Sequence, residues 1–269
     1  MTRDLSSSCT RLAVVNRAVL FDLDDTLLVD ESDVELHFRH VTADIDALAG
    51  VAAGTVAASV REVARERWRT GPLIAVARSL GFSSWEGLAA DFVGGHPIVD
   101  PFREWVPTFR NQSWRSALAR FDAVDQSAEL ADRYRQQRRS SYRLFPDALG
   151  VLGQLRDSGW LLGIVTNGPP DLQREKIAAT GLGEHVDVVA VSGEVGAGKP
   201  DRAIFEFAIR SLDVPASAAV MVGDSVDRDM RGANQFGMRT VWRPGPGRTA
   251  GWEPALTALS ELPDILMRW

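Results

Sequence analysis

Three aspartates follow an apolar run near the start of the sequence. The run Ala18–Phe21 leads into Asp22, Asp24 and Asp25 within four positions. Such a run of β-forming residues predicts a buried strand of a parallel sheet. Side chains alternate along a strand, so Asp22 and Asp24 should point to the same side and repel each other. A hard divalent ion such as Mg2+ would relieve that repulsion, and a plain polar turn is the alternative.

Polar groups also follow the ends of three later predicted strands. They are Thr166, Asn167 and Gly168 after the second strand, Lys199 after the third, and Asp224 and Asp229 after the fourth. The carboxyl ends of parallel strands meet at one edge of the sheet, where open α/β sheets bind ligands. Carboxylates, a hydroxyl with nearby amides and an ammonium suit a phosphoryl group bound with Mg2+. Each group alone also fits a turn, a surface lysine or a helix N-cap, but their joint placement favours a site.

Lys199 stands out because lysine is rare in this chain. Only Lys176 and Lys199 are lysines among the 30 basic residues, which leaves 30 − 2 = 28 arginines. A retained lysine favours a chemical role, because its compact charge differs from the planar fork of arginine. The segment Gly193–Lys199 matches the first part of a nucleotide P-loop. Pro200 then lacks the hydroxyl and the N–H that this motif requires, which argues against that interpretation.

Composition is that of an ordinary globular protein of one large or two modest domains. The 269 residues are 45% hydrophobic and 25% charged, with a net charge of −6. An acidic chain gives no basic surface for nucleic acid or for an anionic membrane. No apolar run reaches the length of a membrane span or resembles a signal peptide. The single cysteine, Cys9, cannot form an internal disulfide, so we expect a reducing, cytoplasmic location.

The spacing of apolar residues divides the chain into two parts. Helical spacing predicts helices at 31–49, 55–69, 73–80, 85–92, 113–121 and 127–141, with a turn-rich passage through Pro97, Pro101 and Pro107. Helices and strands then alternate, with strands at 160–165, 186–191, 218–222 and 239–242 and helices at 146–158, 171–180, 201–212, 226–236 and 254–267. Such alternation predicts an α/β fold with a doubly wound, Rossmann-like parallel sheet. We therefore predict a core domain of residues 1–30 and 143–269 and an inserted α-helical cap domain of residues 31–142.

Four motifs, in this order, resemble those of the haloacid dehalogenase (HAD) superfamily. They are Phe-Asp-Leu-Asp-Asp-Thr-Leu at 21–27, Val-Thr-Asn-Gly at 165–168, Gly-Lys-Pro-Asp at 198–201, and Val-Gly-Asp-Ser at 222–225 with Asp229 following. The resemblance covers residues 17–30 and 143–242. The helical insertion resembles the cap of a subgroup that contains phosphoglycolate phosphatase, N-acylneuraminate-9-phosphatase and nucleotidases.

The resemblance implies a role for each motif residue. Asp22 would be the nucleophile that becomes an aspartyl phosphate, and Asp24 would protonate the leaving alcohol and later deprotonate water. The phosphoryl group would be bound by Thr166, Asn167, Gly168 and Lys199. Mg2+ would be bound by Asp22, the carbonyl of Asp24 and Asp224. Asp229 would either lie in the surrounding shell or orient Lys199. Asp227 and Arg228 depart from the usual pattern without moving this assignment.

These roles predict a Mg2+-dependent phosphatase that hydrolyses a small phosphate monoester, such as a sugar phosphate, a nucleotide or a phospho-acid. Asp24 favours esters over haloacids, because a departing halide needs no proton. Two alternatives stay open: a phosphomutase of the same fold, and a non-catalytic, phosphorylation-dependent binding module. The cap residues Arg103, Trp105, Arg110 and Trp114 are candidates for substrate contact or for packing. The expected oligomeric state is a monomer or a homodimer.

Overall fold

The computed structural model describes residues 16–30, 34–43, 45, 48–245 and 251–269, except the side chains of Val34 and Glu35. Cys9 lies outside these residues. None of the helices in the described part of the chain has both the length and the apolar character that crossing a membrane requires.

Strands and helices follow one another in this chain order: β1 (Ala18–Phe21), β2 (Leu28–Val29), α1 (Val34–Thr42), α2 (Ala53–Arg69), α3 (Ile74–Leu80), α4 (Ser84–Ala89), α5 (Asp100–Leu118), α6 (Ser127–Ser140), β3 (Arg143–Leu144), α7 (Ala148–Asp157), β4 (Leu161–Thr166), α8 (Pro170–Ala179), β5 (Val188–Val191), α9 (Ser192–Val195), α10 (Arg202–Ser211), β6 (Ala219–Gly223), α11 (Gly232–Phe236), β7 (Arg239–Trp242) and α12 (Leu262–Met267).

The central sheet is parallel and has the strand order β5-β4-β1-β6-β7. In β1, Ala18 lies opposite Leu161 on one side and Ala219 on the other. All four residues of β1 are fully buried, as expected of a strand that is covered on both faces. The chain runs from β1 to β5 on one side and then crosses to β6 on the other. Ligands bind at such a reversal, and the predicted α/β fold is confirmed.

Helices α1–α6 enclose an apolar cluster of their own. Its aromatic centre includes Phe38, whose ring lies 4.9 Å from Tyr134 and 5.7 Å from Trp114. Apart from Leu172 of α8, the buried members of this cluster all come from residues 38–134. The two faces of the sheet have separate clusters. This separation supports our division into a core domain and a cap domain, which remains a proposal.

The short strands β2 and β3 lie where the chain leaves and re-enters the sheet region. They pair antiparallel, with Leu28 opposite Leu144 and Val29 opposite Arg143. Two residues on each strand give no periodic pattern, so the sequence did not predict this pair. The pair fixes both ends of the helical insertion next to the end of β1.

Helix α5 corrects the expected turn-rich passage. The chain forms one helix from Asp100 to Leu118 that includes Pro107, instead of a turn followed by a helix at 113–121. Pro101 lies in the first turn, where its missing N–H costs nothing. Pro107 costs about 3 kcal/mol in a helix interior, but α5 buries Phe102 and Phe109 against Trp68. Such packing supplies most of the stability of helices in proteins.

Two predictions near the C-terminus are also corrected. The expected helix at 254–267 is shortened to Leu262–Met267, preceded by a 3-10 turn. Trp242 N donates to Pro254 O at 2.9 Å, and Leu256 N donates to Trp242 O at 2.9 Å, so this segment extends the sheet edge. The expected helix at 226–236 begins with a wider π-helical turn at Val226–Arg231.

Candidate functional site

A cavity of about 210 Å³ lies at the carboxyl ends of the central strands. The sheet side of its wall includes six aspartates and two lysines. The helical side includes Ser83, Trp85, Glu86 and Arg138. The cavity is therefore highly charged and is covered by the helical insertion, which suits a small ionic ligand.

Lys199 lies between two buried carboxylates in this cavity. Its Nζ is 2.6 Å from Asp22 Oδ1 and 2.7 Å from Asp229 Oδ1. Burial alone would lower the pKa of Lys199, but Asp22 and Asp229 raise it, so the ammonium stays charged. Burial raises the pKa of Asp22 even though Lys199 opposes this effect. A fixed cation therefore contacts the carboxylate at the end of β1.

Asn167 holds the loop that carries Lys199. Lys199 N donates to Asn167 Oδ1 at 2.8 Å, and Asn167 Nδ2 donates to Lys199 O at 2.9 Å. The side chain of Asn167 is thus engaged with the backbone of residue 199. The backbone amide of Asn167 is the group left for the predicted contact with substrate.

Thr166 and Gly168 do not line the cavity among the described residues, although Asn167 between them does. Thr166 Oγ1 accepts a hydrogen bond from Gln173 Nε2 at 2.6 Å. Gly168 N donates to Ser192 Oγ at 2.9 Å. The structure therefore places these two residues beside the cavity, and their contact with substrate stays a prediction.

Three carboxylates form a group that fits a divalent cation. Oxygen atoms of Asp22, Asp224 and Asp229 lie within 4.8 Å of one another. Burial, and then Asp22 and Asp229, raise the pKa of Asp224 to about 7. Lys199 pairs with Asp22 and Asp229, and a further cation would relieve the remaining repulsion on Asp224. All-oxygen ligands are what Mg2+ prefers. A Cβ on Gly223 would lie 2.4 Å from Asp229 Oδ2, so the glycine permits this close approach.

Asp24 is predicted to point to the same side as Asp22, and both residues line the cavity. The side chain of Asp24 also contacts helix α8. Gln173 Nε2 donates to Asp24 Oδ2 at 3.0 Å, and Lys176 Nζ donates to Asp24 Oδ1 at 2.7 Å. Burial raises the pKa of Asp24, while Lys176 acts in the opposite direction. The sequence interpretation assigned no role to Gln173 or Lys176. The rarity of lysine was the available signal for Lys176.

The residues that form the helical side of the cavity are not the ones that we expected to contact substrate. The four candidates Arg103, Trp105, Arg110 and Trp114 do not line the cavity. Trp114 is fully buried among aromatic rings, and Arg110 donates to the carbonyl of Ala90. Trp105 also packs against the aromatic cluster of the insertion, with its ring 5.2 Å from that of Trp68, whereas Arg103 is exposed and lies 3.9 Å from Asp100 at the surface.

Glu86 is a buried carboxylate that lines the cavity and also caps α4. Its Oε2 accepts a hydrogen bond from Ser83 N at 2.6 Å, and Glu86 N donates to Ser83 Oγ to complete the reciprocal capping box. No ion pair of Glu86 occurs among the described residues. Burial raises the pKa of Glu86 from 4.5 to about 7.

We expect Glu86→Gln to stabilise the protein at pH 8 and to have little effect at pH 5. Between pH 4.5 and about 7 the folded state holds a proton that the unfolded state has released. Unfolding therefore becomes easier as the pH of the wild type rises. Removing the titration gains on the order of 3 kcal/mol at pH 8, and glutamine preserves the capping box.

Urea unfolding at both pH values measures this difference. Glu66→Gln is the matched control, because Glu66 is an exposed carboxylate paired with Arg69 on α2. If Glu86→Gln changed the free energy of unfolding equally at pH 5 and pH 8, the raised pKa of Glu86 would be contradicted.

The two departures from the motif pattern, Asp227 and Arg228, have different surroundings. Arg228 lines the cavity, so it adds a positive charge to the cavity wall. Asp227 instead pairs with Arg231 on the surface, and 78% of its side chain is exposed. Asp227 is therefore outside the carboxylate group formed by Asp22, Asp224 and Asp229.

Comparison with known proteins agrees with this geometry. A family profile described as haloacid dehalogenase-like hydrolase matches residues 16–237. Phosphoserine phosphatase of Thermus thermophilus is 38% identical over 227 residues, which is 84% of this chain and 88% of that protein. Glyceraldehyde 3-phosphate phosphatase of Methanopyrus kandleri is 43% identical over 110 residues, covering 41% of this chain and 47% of that protein. The crystal structure of a HAD phosphatase from Thermococcus onnurineus has a TM-score of 0.52 and 29% identity, and the match covers 93% of this chain and 97% of that one.

Proposed function

The chain belongs to the haloacid dehalogenase-like hydrolases, and from this premise we propose that it is a Mg2+-dependent phosphatase of small-metabolite phosphate monoesters. The observation that carries the proposal is the pair Asp22 and Asp24 at the end of β1. Asp22 contacts Lys199 at 2.6 Å, and both carboxylates line one cavity. A dehalogenase has no use for the acid at Asp24.

Asp22 and Asp24 account for two successive steps. A carboxylate oxygen of Asp22 attacks phosphorus while the bond from phosphorus to the leaving oxygen breaks, and Asp24 gives its proton to that oxygen. The product is an aspartyl phosphate and a free alcohol. Asp24, now ionised, takes a proton from water as the water attacks phosphorus. Inorganic phosphate leaves and the carboxylate of Asp22 is restored.

Other groups in the cavity stabilise charge on the phosphoryl oxygens. Lys199 carries a fixed positive charge, and Arg228 adds a second cation at the cavity wall. Thr166, the backbone amide of Asn167 and the adjoining Gly168 complete the proposed phosphoryl site. Preorganised donors of this kind are most effective where water is excluded, which the helical insertion would achieve.

Asp22, Asp224 and the carbonyl of Asp24 are the proposed ligands of Mg2+. The side chain of Asp24 is engaged by Gln173 and Lys176, which supports the choice of its carbonyl. Asp229 pairs with Lys199 through Oδ1 and accepts from Ser225 N at 2.9 Å through Oδ2. This supports a role for Asp229 in orienting Lys199. When bound, Mg2+ supplies positive charge that offsets the carboxylates and the phosphoryl group.

The size and charge of the cavity support a small substrate. A volume of about 210 Å³ is below the usual range of pockets for larger ligands, roughly 300–1,000 Å³. Glu86 offers a carboxylate at the wall formed by the insertion, and an ammonium group would satisfy it. With the relationship to the Thermus phosphoserine phosphatase, this supports phosphoserine as the first substrate to test.

We expect phosphate release to require Mg2+ and to be fastest with three-carbon esters. The panel is phosphoserine, its analogue without the amino group, phosphoethanolamine, glyceraldehyde 3-phosphate and a nucleoside 5′-monophosphate. The enzyme should show the highest kcat/KM for phosphoserine, a lower value for the analogue without the ammonium, and the lowest for the nucleotide. EDTA should abolish release, and added Mg2+ should restore it.

Two outcomes would contradict parts of this proposal. Release that needs a sugar bisphosphate activator would favour the phosphomutase. Failure of folded, Mg2+-loaded protein to turn over any ester would favour the binding module.

The low cysteine content supports a cytoplasmic location, and a monomer or homodimer remains the proposed assembly.

A further inference from the structure

Both oxygens of the Asp24 carboxylate are hydrogen-bonded by side chains of one helix. Lys176 Nζ lies 2.7 Å from Oδ1, and Gln173 Nε2 lies 3.0 Å from Oδ2. Gln173 and Lys176 are three residues apart on α8, so they share one face of the helix. Gln173 also donates to Thr166 Oγ1 at 2.6 Å, which ties the same helix face to the end of β4. The carboxylate of Asp24 is thus held in one orientation.

Lys176 is an unusual choice for such a buried position. Its side chain is 1% exposed, and burying an ammonium is costly unless the charge is paired and hydrogen-bonded. Of the 30 basic residues, only this one and Lys199 are lysines, and both contact the aspartates that follow β1. Arginine has a planar fork and is longer, whereas lysine places a compact charge on one oxygen.

A second ion pair compensates the charge of Lys176. Asp30 Oδ1 lies 3.6 Å from Lys176 Nζ and 2.7 Å from Arg138 NH2. Burial raises the pKa of Asp30, but Arg138 and then Lys176 oppose this effect and lower the pKa to about 2. When Asp24 is ionised, the four groups Asp24, Lys176, Asp30 and Arg138 alternate in sign and their charges sum to zero. Arg138 lies on α6 of the insertion, so this row of charges connects the insertion to Asp24.

We propose that Lys176 and Gln173 are positioning residues that hold the carboxylate of Asp24 for proton exchange with the leaving group. The inference rests on the proposed phosphatase function and deepens it. Proton transfer requires the acid to lie within hydrogen-bond reach of the leaving oxygen. An unrestrained Asp24 would sample other rotamers, and phosphoryl transfer to Asp22 would lose its proton donor. The alternative is a buried ion pair that stabilises the fold alone.

The leaving group separates these two roles. An alkoxide must be protonated as it departs, whereas 4-nitrophenolate leaves as a stable anion. We expect Lys176→Met to lower kcat/KM for phosphoserine by roughly 10- to 100-fold, a part of the 10²–10⁴-fold that general acid catalysis supplies. For 4-nitrophenyl phosphate the loss should stay within about threefold, because its departure needs no acid. Gln173→Leu should also lower kcat/KM for phosphoserine more than kcat/KM for 4-nitrophenyl phosphate. Lys176→Arg should recover part of the kcat/KM for phosphoserine that Lys176→Met loses.

Arg174→Met is the matched control for Lys176→Met. Arg174 is a cation on the same helix, but it pairs with Glu194 at the surface at 2.6 Å. Arg174→Met should leave the ratio of kcat/KM for phosphoserine to kcat/KM for 4-nitrophenyl phosphate unchanged. Lys176→Met/Asp30→Asn removes one charge of each sign and keeps the group neutral, so it replaces Lys176→Met if that variant does not fold.

Each outcome decides between the two roles. A selective loss for phosphoserine supports positioning of Asp24. An equal loss for both esters, or no loss in folded protein, overturns the inference and leaves Lys176 as a structural ion pair. If the wild type hydrolyses neither phosphoserine nor another ester of the panel, the proposed function fails first, whatever the variants do. If another alkyl ester of the panel is faster than phosphoserine, that ester replaces it in the comparison.

Discussion

Asp22→Asn should abolish turnover of every ester, lowering kcat on the order of 10⁶-fold, the scale measured when the nucleophile of a covalent mechanism is removed. An amide oxygen is too weak a nucleophile to attack phosphorus, so no aspartyl phosphate can form. The substitution also removes one carboxylate from the group that fits Mg2+. Lys199 keeps Asp229 as a partner at 2.7 Å, so the variant should fold.

Phosphate release and the mass of the intact protein measure this result. Wild-type protein quenched during turnover should carry one phosphoryl group, and Asp22→Asn should carry none. Asp227→Asn is the control, since it removes an aspartate from the same region whose side chain pairs with Arg231 at the surface. Turnover of Asp22→Asn within about tenfold of wild type would mean that another group attacks phosphorus, because loss of a true nucleophile is far more costly.

Asp24→Asn should give the second largest effect and should depend on the leaving group. We expect kcat/KM for phosphoserine to fall by about 10²–10⁴-fold, the usual value of general acid–base catalysis. The loss for 4-nitrophenyl phosphate should be much smaller, since that leaving group needs no proton. The variant should also accumulate the aspartyl phosphate, because the attacking water has lost its base.

Single-turnover kinetics and intact mass after quenching test this prediction. A burst of 4-nitrophenolate followed by slow phosphate release would assign Asp24 to both steps. Asp24→Asn changes the ratio of kcat/KM for phosphoserine to kcat/KM for 4-nitrophenyl phosphate. This change is the largest that we expect for Lys176→Met or Gln173→Leu. An equal loss for both esters without an accumulated intermediate would show that Asp24 is not the acid and base of this reaction.

The sequence alone determined where the strands end and which groups follow them. The apolar run Ala18–Phe21 forms a fully buried central strand. Its successive apolar side chains point to opposite faces of the sheet, so both faces must be covered to bury them. Parallel strands have all their carboxyl ends at one edge, so placing Lys199 and Asp229 after other strands was enough to expect them near Asp22. The structure gives ion pairs of 2.6 and 2.7 Å. Their roles in catalysis remain predictions.

Tertiary structure decided what the insertion and helix α8 contribute. Helical spacing shows that a segment is a helix, but not which of its side chains face a cavity that is built from distant parts of the chain. Trp114 therefore packs in the interior of the insertion while Glu86 and Arg138 reach the cavity. Pro107 lies inside a helix because burial of neighbouring aromatic rings outweighs its local cost. The contact of Lys176 with Asp24 forms only when α8 packs against the end of β1, since local sequence sets the helix and packing sets its neighbours.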